Sequence, residues 1–329
     1  MKILIAGFGS IGRRHFRNLQ ALGERDILFY RTGKSRLPPK ELKGLIIEDD
    51  LDRALAHQPD AVIVANPTAL HLDVAISSAK QGCHIFLEKP ISHNLDRVED
   101  FAKAVEDNGV RVLVGFQFRF HPTLQTVRES ITSRKLGRPL SAHAHWGEFL
   151  PNWHPWEDYK NSYAATAALG GGVVLTLCHP FDYLRWMFGD VMTVWGVTRQ
   201  SGRLKIDVED QAEAGLEFVN GAFASVHLDY IQSPATHRLL IDCEEGQITW
   251  NGGDGNLSIT ASDGWEAELP APADFERNDL FYSEMQHFLD LASGKTNSIC
   301  PLKDGIEALK VALAVHQSAE TGQKIRLNS

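Results

Sequence analysis

The first twelve residues constrain the fold of this chain more than any other segment. Ile3-Leu4-Ile5-Ala6 is a short apolar run that leads directly into Gly7-Phe8-Gly9-Ser10-Ile11-Gly12, and an amphipathic stretch follows at once. A strand that ends in G-x-G-x-x-G and opens a helix is the start of a doubly wound sheet. The first glycine permits a tight turn, the second lets backbone approach a pyrophosphate, and the third allows close helix–strand packing. The helix amino terminus then presents N–H groups to the phosphates. We therefore expect a dinucleotide held by Gly7, Phe8, Gly9, Ser10, Ile11 and Gly12.

The rest of the first 120 residues repeats the same alternation. Ser10 to Leu22 reads as a helix, with Ile11, Phe16, Leu19 and Leu22 at helical spacing and Gly23 as its stop. Ile27–Tyr30, Ala61–Ala65, His84–Leu87 and Val112–Gly115 read as strands; the second is wholly apolar, as burial on both faces demands. Helices are expected over 70–81 and around Leu95, Val98, Phe101 and Val105. From about residue 137 strand-like alternation dominates, with hairpin turns at Asn220-Gly221 and Asp263-Gly264. A helix is expected from about 172 to 188, and two more near 279–293 and 303–321. The fold class is thus α/β: an amino-terminal Rossmann doubly wound parallel sheet over residues 1–120, then an α+β domain with a mainly antiparallel sheet over residues 121–329.

Composition narrows the partners. Residues 1–122 carry 17 Lys/Arg against 15 Asp/Glu, a net of +2, and the remainder 16 against 27, a net of −11, which together give the overall −9. No basic face for a nucleic-acid backbone is indicated. No apolar run approaches the ~18–20 residues that cross a bilayer. Cys83, Cys178, Cys243 and Cys300 are far apart, which suggests reduced thiols in a cytoplasmic protein.

An NAD-selective site places an acid ~20 residues after the glycine loop. Here that place holds Tyr30, Arg31, Thr32, Gly33, Lys34 and Ser35. Arg31 can pair with a 2′-phosphate, assisted by Thr32, Lys34 or Ser35, so NADP(H) is expected in preference to NAD(H). The alternative is a solvated basic turn. Three more segments lie at carboxyl ends of strands, where open α/β sheets bind ligands. They are Asn66-Pro67-Thr68 with His71, Glu88-Lys89-Pro90, and Gly115-Phe116-Gln117 with Arg119.

Together with Gly170-Gly171-Gly172 and His179-Pro180-Phe181-Asp182, these segments resemble the Gfo/Idh/MocA family of NAD(P)-dependent oxidoreductases along essentially the whole chain. The resemblance implies that Lys89 lies beside the nicotinamide and a substrate hydroxyl, followed by a cis proline at 90. It also implies cofactor contacts through Asn66, Pro67, Thr68, His71, Glu88 and Gln117. The family histidine maps onto His179, a natural general acid or base. The family aspartate three residues earlier is Thr176 here, and Asp182 is the nearest substitute unless it merely caps or pairs. Face-to-face packing of second-domain sheets in the family implies a homodimer or homotetramer. The substrate class is a sugar or sugar derivative bearing a secondary alcohol or ketone. Because Thr176 bears no charge, a rival is a dinucleotide-dependent sensor or repressor that lost catalysis; another is a reductase of a non-sugar substrate.

Pro180 lacks a donor and collides with the carbonyl of Thr176 in a regular helix, which predicts a kink or irregular turn there. Residues 143–159 gather three tryptophans and three histidines, a composition that suits a sugar pocket or packing against a second subunit. Trp153, His154 and Tyr163 are candidate substrate contacts, as is Arg119 for a substrate carboxylate, although a salt bridge within the domain explains Arg119 equally. His143, His145 and His154 match no zinc spacing, so no metal is expected.

Overall fold

Uninterrupted apolar runs make the first sheet. The computed structural model describes residues 1–33 and 40–327. Strands β1 (Ile3–Ala6), β2 (Ile27–Tyr30), β3 (Ile46–Glu48), β4 (Ala61–Val64), β5 (His84–Glu88) and β6 (Val112–Gly115) form one six-stranded sheet in the order β3-β2-β1-β4-β5-β6. Every pairing in it is parallel. Helices α1 (Ser10–Ala21), α2 (Leu51–Ala56), α3 (His71–Lys80) and α4 (Val98–Asp107) connect the strands. β1, β4 and β6 are buried along their whole length, as a doubly covered sheet requires. Because all six strands run the same way, their carboxyl ends share one edge, and the loops after β1, β4, β5 and β6 gather there.

The second unit is built on α5 (Pro122–Thr132), β7 (Pro139–Phe149), α6 (Val173–Thr176), α7 (His179–Phe188), β8 (Val191–Arg199), β9 (Gln211–Phe218), β10 (Phe223–Asp229), β11 (Ile231–Cys243), β12 (Gly246–Asn251), β13 (Leu257–Ala261) and β14 (Glu266–Leu269). With β15 (Ile325–Arg326) the strands form a nine-stranded sheet, antiparallel except where β10 lies parallel to β7. Ala142, Ala144, Trp146, Ala214, Leu216, Val226, Leu239 and Ile241 face inward and are buried. The alternate residues of β7, β9 and β10, among them His143, His145, Glu213, Ser225 and His227, form the opposite face. Both hairpin turns fall where expected, at Asn220-Gly221 and Asp263-Gly264.

Two expectations need correction. A division at residue 120 assigns all of 121–329 to the second unit, yet the compact units are Met1–Gln117 with Glu276–Ile306, and Phe118–Phe275 with Glu307–Ser329. Helix α8 (Arg277–Ala292) rejoins the first unit because its aromatic face packs there: Phe288 meets Phe86 edge-on at 5.6 Å, and Arg14 lies over Phe281 at 4.3 Å. The unit boundary at 306 falls inside α9 (Leu302–Thr321). A continuous helix over 172–188 is also not formed. The chain breaks at Leu177-Cys178 and restarts at His179, with Pro180 in the first turn of α7, where its missing N–H costs nothing. The irregularity anticipated from Pro180 is therefore present.

All four cysteines are buried and none is in a disulfide, and burial pushes Cys83 and Cys243 up to about 11, so neither is a ready nucleophile. No helix among the described residues is long and apolar enough to cross a membrane.

Candidate active site

The glycine loop of the first unit has the space a dinucleotide needs. Gly7 sits at φ +102°, and a Cβ there lies 2.6 Å from the Ala65 carbonyl oxygen. A Cβ on Gly12 collides with the Gly7 carbonyl, so this glycine lets α1 seat against β1. Gly9 is different: nothing lies within 4 Å of an added Cβ, which leaves backbone open to a ligand. The first turn of α1 contains no carboxylate, so its positive end is available to an anion. Ser10 is exposed and Ile11 half-buried at that end. Phe8 borders the loop through its backbone alone, since its ring is 2 % exposed and packs edge-on against Phe16 and Phe29.

At the end of β2, Arg31 is half-buried, and its Nε has no hydrogen-bond partner among the described residues. Its backbone N–H donates to the Glu48 carbonyl at 2.9 Å, which fixes the turn. Thr32 is exposed beside it. Lys34 and Ser35 lie outside the described residues.

The other strand ends are tied together by histidines. His71, assigned to the cofactor from sequence, is 1 % exposed, with Nδ1 2.9 Å from the Pro90 carbonyl and Nε2 2.9 Å from the Asn66 carbonyl. It clamps two loops and has no face for a ligand; burial pulls it below the usual histidine range. Asn66 donates to the Leu70 carbonyl at 3.0 Å, and its buried Oδ1 has no partner among the described residues. Thr68 is buried after Pro67, at the amino end of α3. Glu88 also has a partner: His15 of α1 approaches it at 2.6 Å, Nε2 to Oε1, with both groups buried. Glu88 thus fixes β5 to α1 immediately before half-buried Lys89, and the Lys89–Pro90 bond is cis as anticipated. Gln117 is buried beyond β6. Sequence reasoning missed His15, although its position four residues after Ile11 and four before Leu19 places it on the buried side of α1.

In the second unit the broken helix sets the side chains. Val173 and Val174 N–H groups donate to the Glu209 carbonyl and carboxylate at 3.1 Å each, which anchors α6. Thr176 is buried and lies close enough to Tyr230 for the two side chains to influence each other. Tyr230 also donates to the Gly172 carbonyl at 2.9 Å, and burial raises its phenol far above the ordinary range. Trp153 meets Tyr230 edge-on at 5.4 Å, and its buried Nε1 has no partner among the described residues. Tyr163 precedes Ala164, whose carbonyl oxygen lies 3.5 Å from the Tyr230 hydroxyl. The structure therefore brings Trp153, Tyr163 and Thr176 together around Tyr230. His154 stands apart, paired with Glu157 at 2.8 Å and tilted against Trp156 at 5.1 Å.

His179, the first residue of α7, is buried between Phe118 at 4.9 Å and Trp146 at 5.3 Å. Trp146 in turn stacks on His237 at 4.4 Å, a neighbour that no local sequence signal marked. Arg119 and Asp182 correct the remaining substrate assignments. Each is 1 % exposed, and they form a two-pronged ion pair, Nε to Oδ2 at 3.0 Å and Nη2 to Oδ1 at 2.6 Å. The salt bridge within the domain is the role observed for both.

Comparison with known proteins agrees with this architecture. Residues 1–116 match the oxidoreductase family with an NAD-binding Rossmann fold, Gfo/Idh/MocA, and residues 124–249 match the Gfo/Idh/MocA C-terminal domain. The chain is 26% identical over 295 residues to D-xylose 1-dehydrogenase (NADP(+)) 2 of Haloferax volcanii, covering 87% of this chain and 83% of that protein. It is 26% identical over 285 residues to scyllo-inositol 2-dehydrogenase (NAD(+)) of Bacillus subtilis, covering 82% and 78%. The WlbA dehydrogenase from Bordetella pertussis, solved with NADH and UDP-GlcNAcA, shares the fold at a TM-score of 0.83 and 24% identity, over 100% of this chain and 99% of that one. Two family domains matched in sequence, on the strand–glycine loop–helix and the mixed sheet described above, make this chain a member of the Gfo/Idh/MocA oxidoreductase family.

Proposed function

We propose that the chain is an NAD(P)-dependent dehydrogenase or reductase that moves a hydride between nicotinamide and a secondary alcohol or ketone of a sugar or sugar derivative. The observation that carries this reading is the glycine loop, closed to side chains at Gly7 and Gly12 and open at Gly9. Its backbone from Gly7 to Gly12 holds the pyrophosphate, with Asn66, Pro67, Thr68 and Gln117 at neighbouring strand ends. A bound nicotinamide supplies or takes up the hydride. Lys89 places an ammonium at the substrate hydroxyl and stabilises developing alkoxide charge, while His179 takes or returns the hydroxyl proton. Trp153 and Tyr163 offer stacking and hydrogen-bonding surface to a sugar ring.

Within this reading the cofactor is NADP(H) in preference to NAD(H). Arg31, with no carboxylate in the adjoining turn and an Nε that lacks a partner among the described residues, supports a 2′-phosphate contact. The protein works in the cytoplasm as a homodimer or homotetramer. The sugar class is supported by the xylose and inositol activities of the relatives and by the nucleotide sugar in the WlbA structure. One observation favours a second reading, a sensor without turnover: the position of the family acid is Thr176, a buried side chain that carries no charge. A screen of sugars, oxidised sugars and sugar nucleotides, followed through the absorbance of the reduced nicotinamide, separates the two. Turnover with NADPH exceeding NADH supports the enzyme; nucleotide binding without turnover on any of them supports the sensor.

A further inference from the structure

The outward face of the second-unit sheet carries a group of donors that the proposed reaction does not use. In the parallel pairing of β10 with β7, His227 lies opposite His145 and Asp229 opposite Gly147. One ring nitrogen of each histidine and a carboxylate oxygen of Asp229 all lie within 4.8 Å of one another. His227 Nε2 is 3.0 Å from Asp229 Oδ2, and the two rings are 4.5 Å apart. A fourth donor comes from β11. That strand loses register with β7 between Ile231 and Thr236, and the bulge brings Gln232 Oε1 to 2.7 Å from His145 Nε2.

Gly147 makes room for this convergence. A Cβ there would overlap both Asp229 Oδ2 and Gln232 Oε1, so the two oxygens meet above a residue without a side chain. Further groups hold the donors: Glu213 takes His227 Nδ1 at 2.5 Å, and Gln232 donates to the Thr236 hydroxyl at 2.5 Å. A histidine whose outer nitrogen is held by a carboxylate, with its inner nitrogen turned to a shared centre, is a recurrent arrangement around bound zinc.

We propose that His145, His227 and Asp229, with Gln232 as fourth donor, form a binding site for a divalent transition-metal ion of the zinc class, which ties β7, β10 and β11 together. Two imidazoles and a carboxylate are the donor chemistry of zinc(II), which takes them at about 2.0–2.2 Å, whereas magnesium favours an all-oxygen set. Modest side-chain rotation closes the present spacing onto one ion. Binding displaces the proton that Asp229 and Glu213 hold on the His227 ring, which they push up to about 9. No local spacing marked the site, because its donors come from three strands joined only by sheet register.

The test titrates the full-length chain, stripped with a chelator, with zinc chloride against a chromophoric competitor. One equivalent per chain is expected, untouched by excess magnesium. His227→Ala and His145→Ala should lose it. Gln232→Ala should weaken it about 10- to 100-fold, as removal of a supporting group does. Gly147→Ala keeps every donor yet fills the space, so it should weaken binding even where a histidine variant fails to fold. Absence of stoichiometric binding overturns the proposal. Binding equally tight in the Gly147 and histidine variants overturns it too, since the ion then sits at another pair, such as His154 with Glu157.

Discussion

His15→Ala isolates the buried pair that positions the strand end before Lys89. His15 is wholly buried and Glu88 8 % exposed, so removing the imidazole leaves a carboxylate in a site that water scarcely reaches. Breaking such a pair costs about 3–5 kcal/mol. The Arg14 guanidinium feels the Glu88 charge and offsets part of this, which puts the expected loss near the lower end, about 3 kcal/mol. At about 2–4 °C per kcal/mol for a domain of this size, the melting point should fall by roughly 6–12 °C. Circular dichroism followed through thermal and urea unfolding measures it. His15→Gln, which keeps a donor, should recover part of the loss, and in a Glu88→Gln background His15→Ala should cost at least about 1 kcal/mol less than in the parent. A loss under about 1 kcal/mol in the single variant, or equal losses in the two backgrounds, refutes the assignment of the pair as the tie between α1 and β5.

Three further outcomes are expected. Arg31→Ala should lower kcat/KM for NADPH about 10- to 100-fold and leave NADH nearly unchanged, since only a charge-assisted phosphate contact is lost; a parent enzyme that prefers NADH refutes the cofactor reading. Thr176→Asp restores the family acid beside Tyr230: a large rise in turnover marks an enzyme impaired at this position, and no change over robust native activity marks His179 as sufficient. His121 is pulled down to about 4 by burial, against Trp250 and Phe275. The unfolded chain takes up its proton near pH 6.5 and the folded one only near 4, so this histidine destabilises the fold progressively as pH falls through that window. The full effect is about 3 kcal/mol, and urea midpoints measured from pH 7 to 4 should decline less steeply in His121→Gln.

Local signals in the sequence were those whose cause lies within a few residues. The apolar runs Ile3–Ala6 and Ala61–Val64, the glycine stops and the turn at Asn220-Gly221 each follow from a backbone or burial rule that needs no distant partner. Pro180 belongs with them: a missing N–H and a clash one turn back sufficed to foresee the break before α7. Pairings that depend on topology were hidden. His15 meets Glu88 across 73 positions, and Arg119 meets Asp182 across 63. His71 carries the composition of a ligand-binding residue, yet two carbonyls delivered by separate loops enclose it. Side-chain type indicated where chemistry was possible, while tertiary contacts decided which groups were left for a ligand.

The return of Glu276–Ile306 to the first unit has a consequence for biosynthesis. A ribosome that has finished the six parallel strands has not yet made the helix that covers Phe86 and His15. At about 5–20 residues per second, the stretch from 117 to 276 imposes a wait of roughly ten to thirty seconds. During that time an aromatic seam of the nascent nucleotide-binding unit stays uncovered, a period in which chaperones have most reason to attend this chain.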